Sequence, residues 1–579
     1  MTKKQFAQVL VLGSALFTAI NTKISYADPS LEPVFIGSRR ELFIDHYLID
    51  RLDDVHLELH EPKDEGVVLR FDKPWEGAFS GYVSVVKEGE TFRLYYRGMP
   101  TVDSIRRDEG AVTCYAESKD GIHWEKPNLG LFKVQGTIEN NVVLSDDSDV
   151  SNNFTPFIDK HPDVAADQYY KALGGTAKSG LIGYASADGI HWKILQNNPV
   201  FEDSYYWVFD SQNVAFWSAT EEQYVLYYRK VKNKRRTIAR TTSKDFTHWS
   251  KPTLMSYSDT GTTRPSHQFY TNQTHPYFRA PHIYVAIAAR FIEGRSVLTD
   301  SQAKAIKVDP IFSKDTSDAV LMTTRGDNQY DHSFPEAFIR RGLHPQDWTS
   351  RSNFPALNVV QTGPNEMSVY VQKDYAQPTS HLRRYSMRLD GFASVQASHK
   401  KGEMVTKPFT FQGNRLLLNF ATSAAGSIRV EIQDSTGQPF PGYTLADSKE
   451  IIGNEIEQVV LWQHGDDVSQ LTGETIRLRF VMKEADLYAL RFYQKPGSTP
   501  KKASVKIKQK EKQIQHKSRA AEPYKDPQIK KLETRLLSAT RQRDKLLLKY
   551  TDKHPDVMTL NENIHSILVE IEQLKKNGL

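Results

Sequence analysis

The chain has 579 residues, more than one hydrophobic core organises, so two or three units are expected. Charged residues make up 25% and hydrophobic residues 39%, an ordinary globular balance that excludes a wholly disordered or membrane-embedded chain. The net charge is only +5, and much of that excess sits between Lys501 and Arg519, so no folded segment carries the basic face of a nucleic-acid binder.

The N-terminus reads as a signal peptide over residues 1–27. Lys3 and Lys4 precede an apolar run, Gln8 to Ile20, that is short for a bilayer span, and Ser25-Tyr-Ala27 supplies small residues for cleavage after Ala27. The alternative is an uncleaved anchor. Export makes a secreted or periplasmic location the expectation. The only cysteine is Cys114, so no intrachain disulfide can form, and within Val112-Thr-Cys-Tyr-Ala116 it reads as a packed strand residue.

The strongest signal is a repeat. Ser118-Lys-Asp-Gly-Ile-His-Trp124 recurs as Ser186-Ala-Asp-Gly-Ile-His-Trp192 and, weaker, as Ser243-Lys-Asp-Phe-Thr-His-Trp249. Each copy follows a β-rich run, and the copies lie roughly 60 residues apart, near the size of a four-stranded propeller blade. Ser and Asp can pin a turn, glycine can supply positive φ, and the tryptophan can bury a ring between sheets. His123, His191 and His248 read as turn or surface residues.

Paired strand runs at 80–97, 153–173, 210–228, 272–289 and 366–387 predict five blades, with residues 33–75 leading into the first and available to close it. The fold expected is mainly β: a five-bladed β-propeller over 28–390, a β-sandwich over 391–494, a basic linker over 495–526 and coiled-coil helices over 527–579. The sandwich rests on alternating runs at 415–420, 427–432 and 475–481 with turns at Thr436-Gly and Thr472-Gly. The coiled coil rests on Val557, Leu560, Ile564, Ile567, Ile571 and Leu574, and on Ile529, Leu532, Leu536 and Ala539 before Pro555.

The blade motif resembles the five-bladed glycoside hydrolases of families 32, 43 and 68. Glu41-Leu-Phe-Ile-Asp-His-Tyr-Leu-Ile49 and Phe209-Asp-Ser-Gln-Asn213 resemble exported bacterial proteins grouped near family 32, over about residues 38 to 494. The resemblance implies glycan hydrolysis. The family-32 Trp-Met-Asn-Asp-Pro-Asn-Gly, Arg-Asp-Pro and Glu-Cys motifs are missing; Lys73-Pro-Trp-Glu-Gly-Ala-Phe-Ser-Gly81 stands where the nucleophile motif is expected. The Asp-centred turn is also similar to the sialidase Asp-box, although the arginine triad and sixth blade are not legible. In the tail, residues 546–557 resemble polysaccharide chain-length-determinant coiled coils, which implies self-association or an envelope partner for 527–579. Asp159-Lys-His-Pro-Asp-Val164 repeats Asp552-Lys-His-Pro-Asp-Val557 and reads as shared turn chemistry.

Glycoside hydrolysis commonly uses two carboxylates across the scissile bond. The catalytic candidates are Asp210 and Glu366, read as opening inner strands, Glu336 in an apolar Phe-Pro-Glu-Ala-Phe setting, and Glu76 beside Trp75. Trp75 could stack on a sugar; Asn153, Asn272, His275, Arg279, Arg97 and Arg290 are candidate substrate ligands, the two last equally readable as interior ion pairs. No metal or other cofactor is expected: His56-Leu-Glu-Leu-His60 lacks a third ligand, and no phosphate loop or Gly-x-Ser-x-Gly elbow occurs. The partner expected is carbohydrate. The rival readings are a non-catalytic glycan-binding propeller and a scaffold that works through its coiled coil.

Overall fold

The computed structural model describes residues 32–99, 110–145, 148–203 and 208–495, with two further helical positions, Thr559 and Ser566. The leader, the linker and, apart from those two positions, the coiled-coil segment lie outside the described residues. No described helix is long and apolar enough to cross a membrane.

Five antiparallel sheets follow one another along the chain. The first holds Gly81–Glu88, Thr91–Gly98, Val112–Ser118 and Val142–Leu144. The second holds Thr155–Ile158, Tyr170–Thr176, Gly180–Ser186 and Lys193–Ile194. The third holds Val214–Ser218, Gln223–Lys232, Arg235–Ser243 and Thr253–Leu254. In the fourth, an interrupted inner strand, Gln268–Thr271 and Thr274–Tyr277, pairs with Ala280–Ile292, which pairs with Thr316–Thr324.

The fifth sheet begins earlier than its sequence suggests. Its inner strand is Phe354–Pro355 with Val360–Gln361, broken by Pro355 and by Asn358 at φ 76°, so no strand period is visible there. Glu366–Lys373 is therefore the second strand, and His381–Arg388 the third. The fourth is Lys63–Arg70, from the N-terminal side of blade one. The strand expected to close the first blade closes the fifth. Blade one already has four strands of its own, and the remaining open edge is the one beside it.

Apolar clusters bind each blade to the next. Leu69, Val83, Leu94 and Tyr370 join blades five and one; Tyr95, Tyr115 and Tyr170 join one and two. Leu173, Tyr227 and Tyr284 span two to four, and Ile283, Met367 and Val369 join four and five. The ring is closed: a five-bladed propeller.

The repeated turns act as expected. The Asp120 carboxylate accepts from the Ile122 and His123 amides at 2.7 and 2.8 Å, and Ser118 Oγ accepts from Gly121 N at 2.9 Å. The pattern recurs at Asp188 and Asp245. Tyr370 of blade five donates to Gly121 O at 2.6 Å, and Tyr95 of blade one to Gly189 O at 2.9 Å, so a neighbour's phenol clasps each of these two turns. A Cβ at Gly189 would lie 2.5 Å from that phenol oxygen. The third copy has Phe246 at φ 70°, where the buried ring packs 5.7 Å from Phe157. His123, His191 and His248 are exposed.

Residues 34–59, expected within the propeller, pair with the C-terminal strands: Arg40–Leu42 along 489–491, and Val55–Leu59 along Ala393–Ala397. The strands expected as a β-sandwich form one branched ten-stranded sheet around a single core, which includes Phe43, Trp462 and Phe480. Its longest members, Arg415–Asp434 and Ile476–Tyr493, run antiparallel and shift register between Thr422 and Ser427.

A charged joint connects this sheet to blade four. Glu41 meets His282 at 2.9 Å and Arg325 at 2.8 Å, and Arg325 also reaches Asp45 at 3.2 Å. Burial pushes the Glu41 carboxyl up, but the His282 hydrogen bond and the Arg325 charge outweigh it and hold the pKa below its ordinary value. Asp390 similarly gathers Arg40, Arg279 and the Tyr277 hydroxyl. The Glu41 to Ile49 motif is therefore an inter-unit clasp.

The Asp turns predict an acid-sensitive contribution to stability. Although burial raises the pKa of Asp120, Asp188 and Asp245, the His ring and backbone N–H donors win and depress it. Their stabilisation is complete above the unfolded carboxyl value of about 3.9 and fades as pH falls below it. Asp188→Ala should cost about 1 kcal/mol at neutral pH, as for a lost cap on a half-exposed turn, and the gap from wild type should shrink below pH ~4 in chemical denaturation.

Candidate active site

At the axis the blades meet through amides. Gln212 Nε2 donates to Ser84 Oγ at 3.0 Å, and Gln273 Nε2 donates to Gln212 Oε1 at 2.6 Å and to Pro355 O at 2.8 Å. These three side chains are buried and tie blades one, three, four and five together. Polar groups bonded to one another fill the hub, and Gln273 Oε1 is left without a partner among the described residues.

Beside this plug, residues at the beginnings of inner strands meet the ends of second strands. Tyr82, Tyr270, Phe291 and Phe354 form a buried aromatic cluster. Tyr82, at φ 52°, sits in a bulge of the first inner strand and is covered by Arg97 at 4.6 Å. Arg97 Nη1 donates to Asn152 Oδ1 at 2.6 Å, and Nη2 to Phe79 O at 2.7 Å. Tyr270 is surrounded by three guanidiniums: Arg229 at 4.6 Å, Arg236 at 5.1 Å and Arg351 at 5.2 Å from the ring centre. Arg229 Nη2 donates to Asp210 Oδ2 at 2.7 Å, and the Asp210 side chain is 45% exposed. Asp210 is the carboxylate of this cluster among the described residues.

The surroundings act in opposite directions on the two phenols. Burial raises the Tyr82 pKa, and the charges of Tyr270 and Asp210 add to it. Burial also raises that of Tyr270, but Arg351, Arg229 and Arg236 together overcome both burial and the Asp210 charge, and the pKa falls below its ordinary value.

Of the sequence candidates, Asp210 and Arg97 come together here. The others lie elsewhere. Glu366 opens a second strand, not an inner one, and is held by Arg384 and Thr362, each at 2.8 Å. It faces a cavity of about 780 Å³ shared with His60, Glu65, Arg388 and Tyr488. Glu336 is exposed, not in an apolar setting, because the chain turns outward after Phe334. Glu76 is fully buried, paired with Lys126 at 2.8 Å, and accepts from the Tyr96 hydroxyl and the Lys73 amide.

Trp75 lies in the apolar core between blades five and one with its indole N–H on Asn141 Oδ1 at 2.7 Å, so its face is not available to a sugar. Asn153 spends its amide on Gly175 N and O and on Phe209 O, and Asn272 bonds Thr274 N and Tyr227 O. His275 bonds Gln273 O and accepts from Val359 N at 3.1 Å; burial pushes its pKa down to about 4, so it stays neutral. Arg279 belongs to the Asp390 joint, and Arg290 grips Asp318 with two bonds of 2.7 Å. His56 and His60 turn to Glu58 and Ser394.

Tyr82, Arg229, Tyr270, Arg236 and Arg351 were not singled out from sequence. One signal was present: Leu94-Tyr-Tyr-Arg97 and Leu226-Tyr-Tyr-Arg229 are the same tetrapeptide at the ends of equivalent strands. The arginine each places at the blade top covers a tyrosine of an inner strand.

Among solved structures, the fold is similar to glycoside hydrolases. A fructofuranosidase from Schwanniomyces occidentalis complexed with fructosylnystose aligns at 10% identity and a TM-score of 0.35, over 74% of this chain and 98% of that one. A family 32 β-fructofuranosidase from Bombyx mori aligns at 9% and 0.33, over 74% and 94%. An N-acetylgalactosamine deacetylase from F. plautii, in complex with blood group B trisaccharide, aligns at 11% and 0.38, over 58% and 96%. Such values are too low to transfer a residue or an activity. No family model matches the sequence, and no curated protein does.

The Glu76 geometry makes a prediction. Glu76→Ala leaves Lys126, 10% exposed, without its closest anion, and should destabilise the fold by about 3–5 kcal/mol in urea titration.

Proposed function

We propose that the protein hydrolyses a glycan at the arginine-lined mouth of the propeller, with Asp210 as proton carrier and Tyr270 as nucleophile. The observation that carries this reading is that both residues meet on one guanidinium, Arg229, beside the closed hub. A tyrosine nucleophile is an established variant of glycosidase chemistry. Asp210 takes the phenolic proton of Tyr270 and passes it to the glycosidic oxygen as the C–O bond breaks, and the Tyr270 oxygen bonds the anomeric carbon. Asp210, now a carboxylate, takes a proton from water; the hydroxide displaces Tyr270 and the phenolate is restored. Arg351, Arg229 and Arg236 favour that phenolate electrostatically.

A second reading is glycan binding without cleavage. It is favoured by Asp210 being the carboxylate of the cluster among the described residues, where two are usual. Purified protein incubated with a polysaccharide panel separates the two readings: released reducing ends support hydrolysis, and saturable binding without product supports a lectin-like role. For hydrolysis, Asp210→Asn and Tyr270→Phe should each lower kcat/KM by about 100-fold or more with unchanged thermal melting; activity retained in both would reject the mechanism.

Export through residues 1–27 and association through 527–579 belong to the same proposal. Deleting residues 497–579 should leave the specific activity of the propeller intact and reduce the assembly size in light scattering; an unchanged size would remove the tail from the account.

A further inference from the structure

Among the described residues, the mouth carries more positive charge than its own groups neutralise. Three guanidiniums surround the Tyr270 ring. Asp210 takes one bond from Arg229 Nη2, and Gln268 Oε1 takes one from Arg236 Nη1 at 2.9 Å. The other nearby acid, Glu293, is exposed and bonded to Gln268 at 3.0 Å. Arg229 is only 3% exposed, yet its Nε and Nη1 are buried without a hydrogen-bond partner among the described residues; Arg351 Nε is in the same state. Unmet N–H donors on a buried cation are expensive, and native structures keep few of them.

Repulsion is visible within the group. Burial lowers the Arg236 pKa, and the charges of Arg229 and Arg351 lower it further. Even with a Tyr270 phenolate beside an ionised Asp210, the described residues set two negative groups against three arginines. A neutral sugar offers hydroxyl acceptors but leaves this excess in place. An oxyanion supplies charge and paired acceptors to guanidinium forks together.

Resting on the glycan reading above, we infer that the substrate is an anionic glycan, whose carboxylate or sulfate group sits on Arg229, Arg236 and Arg351. The anion holds the sugar ring against Tyr270 and Asp210, so that recognition and reaction share one wall of arginines.

The test uses the full chain in titration calorimetry with three probes: oligogalacturonate, the same oligomer after carboxyl reduction, and a sulfated galactan oligosaccharide. At least one acidic probe should bind about 10- to 100-fold more tightly than the reduced oligomer, with a preference that weakens as salt is raised. The uronate and sulfate arms identify which anion fits. Arg351→Met and Arg236→Met should each compress the acidic-to-neutral ratio by about tenfold. Arg351→Lys, which keeps the charge and loses the fork, should fall between, and it serves if the methionine variant does not fold. Binding of the neutral oligomer as tight as that of both acidic probes overturns the inference and leaves the glycan reading standing. No binding of any of the three overturns both.

Discussion

Pairing between Lys63–Arg70 and His381–Arg388 is the constraint on which the rest of the molecule depends. The fifth blade lacks its outer strand until one from the N-terminal side of the first blade is donated to it. Once that pairing forms, the first and fifth blades share a core, and the beginnings of all five inner strands are held around one axis. Because the donated strand arrives directly from the ten-stranded sheet, ring closure also brings that sheet against blades four and five. The Glu41 and Asp390 charge clusters then secure the contact.

The same closure sorts the acids. A carboxylate at a blade's outer turn, such as Asp188, is occupied by backbone amides. One within the wall of a blade, such as Glu76, must be paired because an isolated charge is intolerable there. Where strands begin or end at the open mouth, a charged group can keep capacity for a ligand. Asp210 stands there, half-exposed, among arginines that the described residues do not saturate. On the proposed reading, this distribution suits the mouth to anion recognition and gives the Arg–Tyr contacts a role in reactivity as well as in packing.

Local chemistry explains what could be read from the residues in order. The Ser-x-Asp turns, the alternating strands and the half-buried tryptophans are determined by bonds and contacts within a few residues, so the blade count and the surface placement of His123, His191 and His248 followed from spacing. The inner strand of blade five did not, because Pro355 and Asn358 interrupt its period, and that omission put Glu366 at the wrong strand. Apolar neighbours around Glu336 suggested burial, yet burial depends on where the chain turns, and it turns outward.

By itself, then, the sequence determined a ring of five β-sheets with pinned outer turns and included Asp210 and Arg97 among the groups for its mouth. Tertiary structure decided which blade the first strand closes, that residues 34–59 belong with the C-terminal sheet, and that Tyr82, Tyr270, Arg229, Arg236 and Arg351 form one cluster. Those five residues span 82 to 351, and no local pattern encodes contacts made only when sheets far apart in the chain converge on an axis. Periodicity records which face of a strand is buried; it does not record which distant strand will share that face.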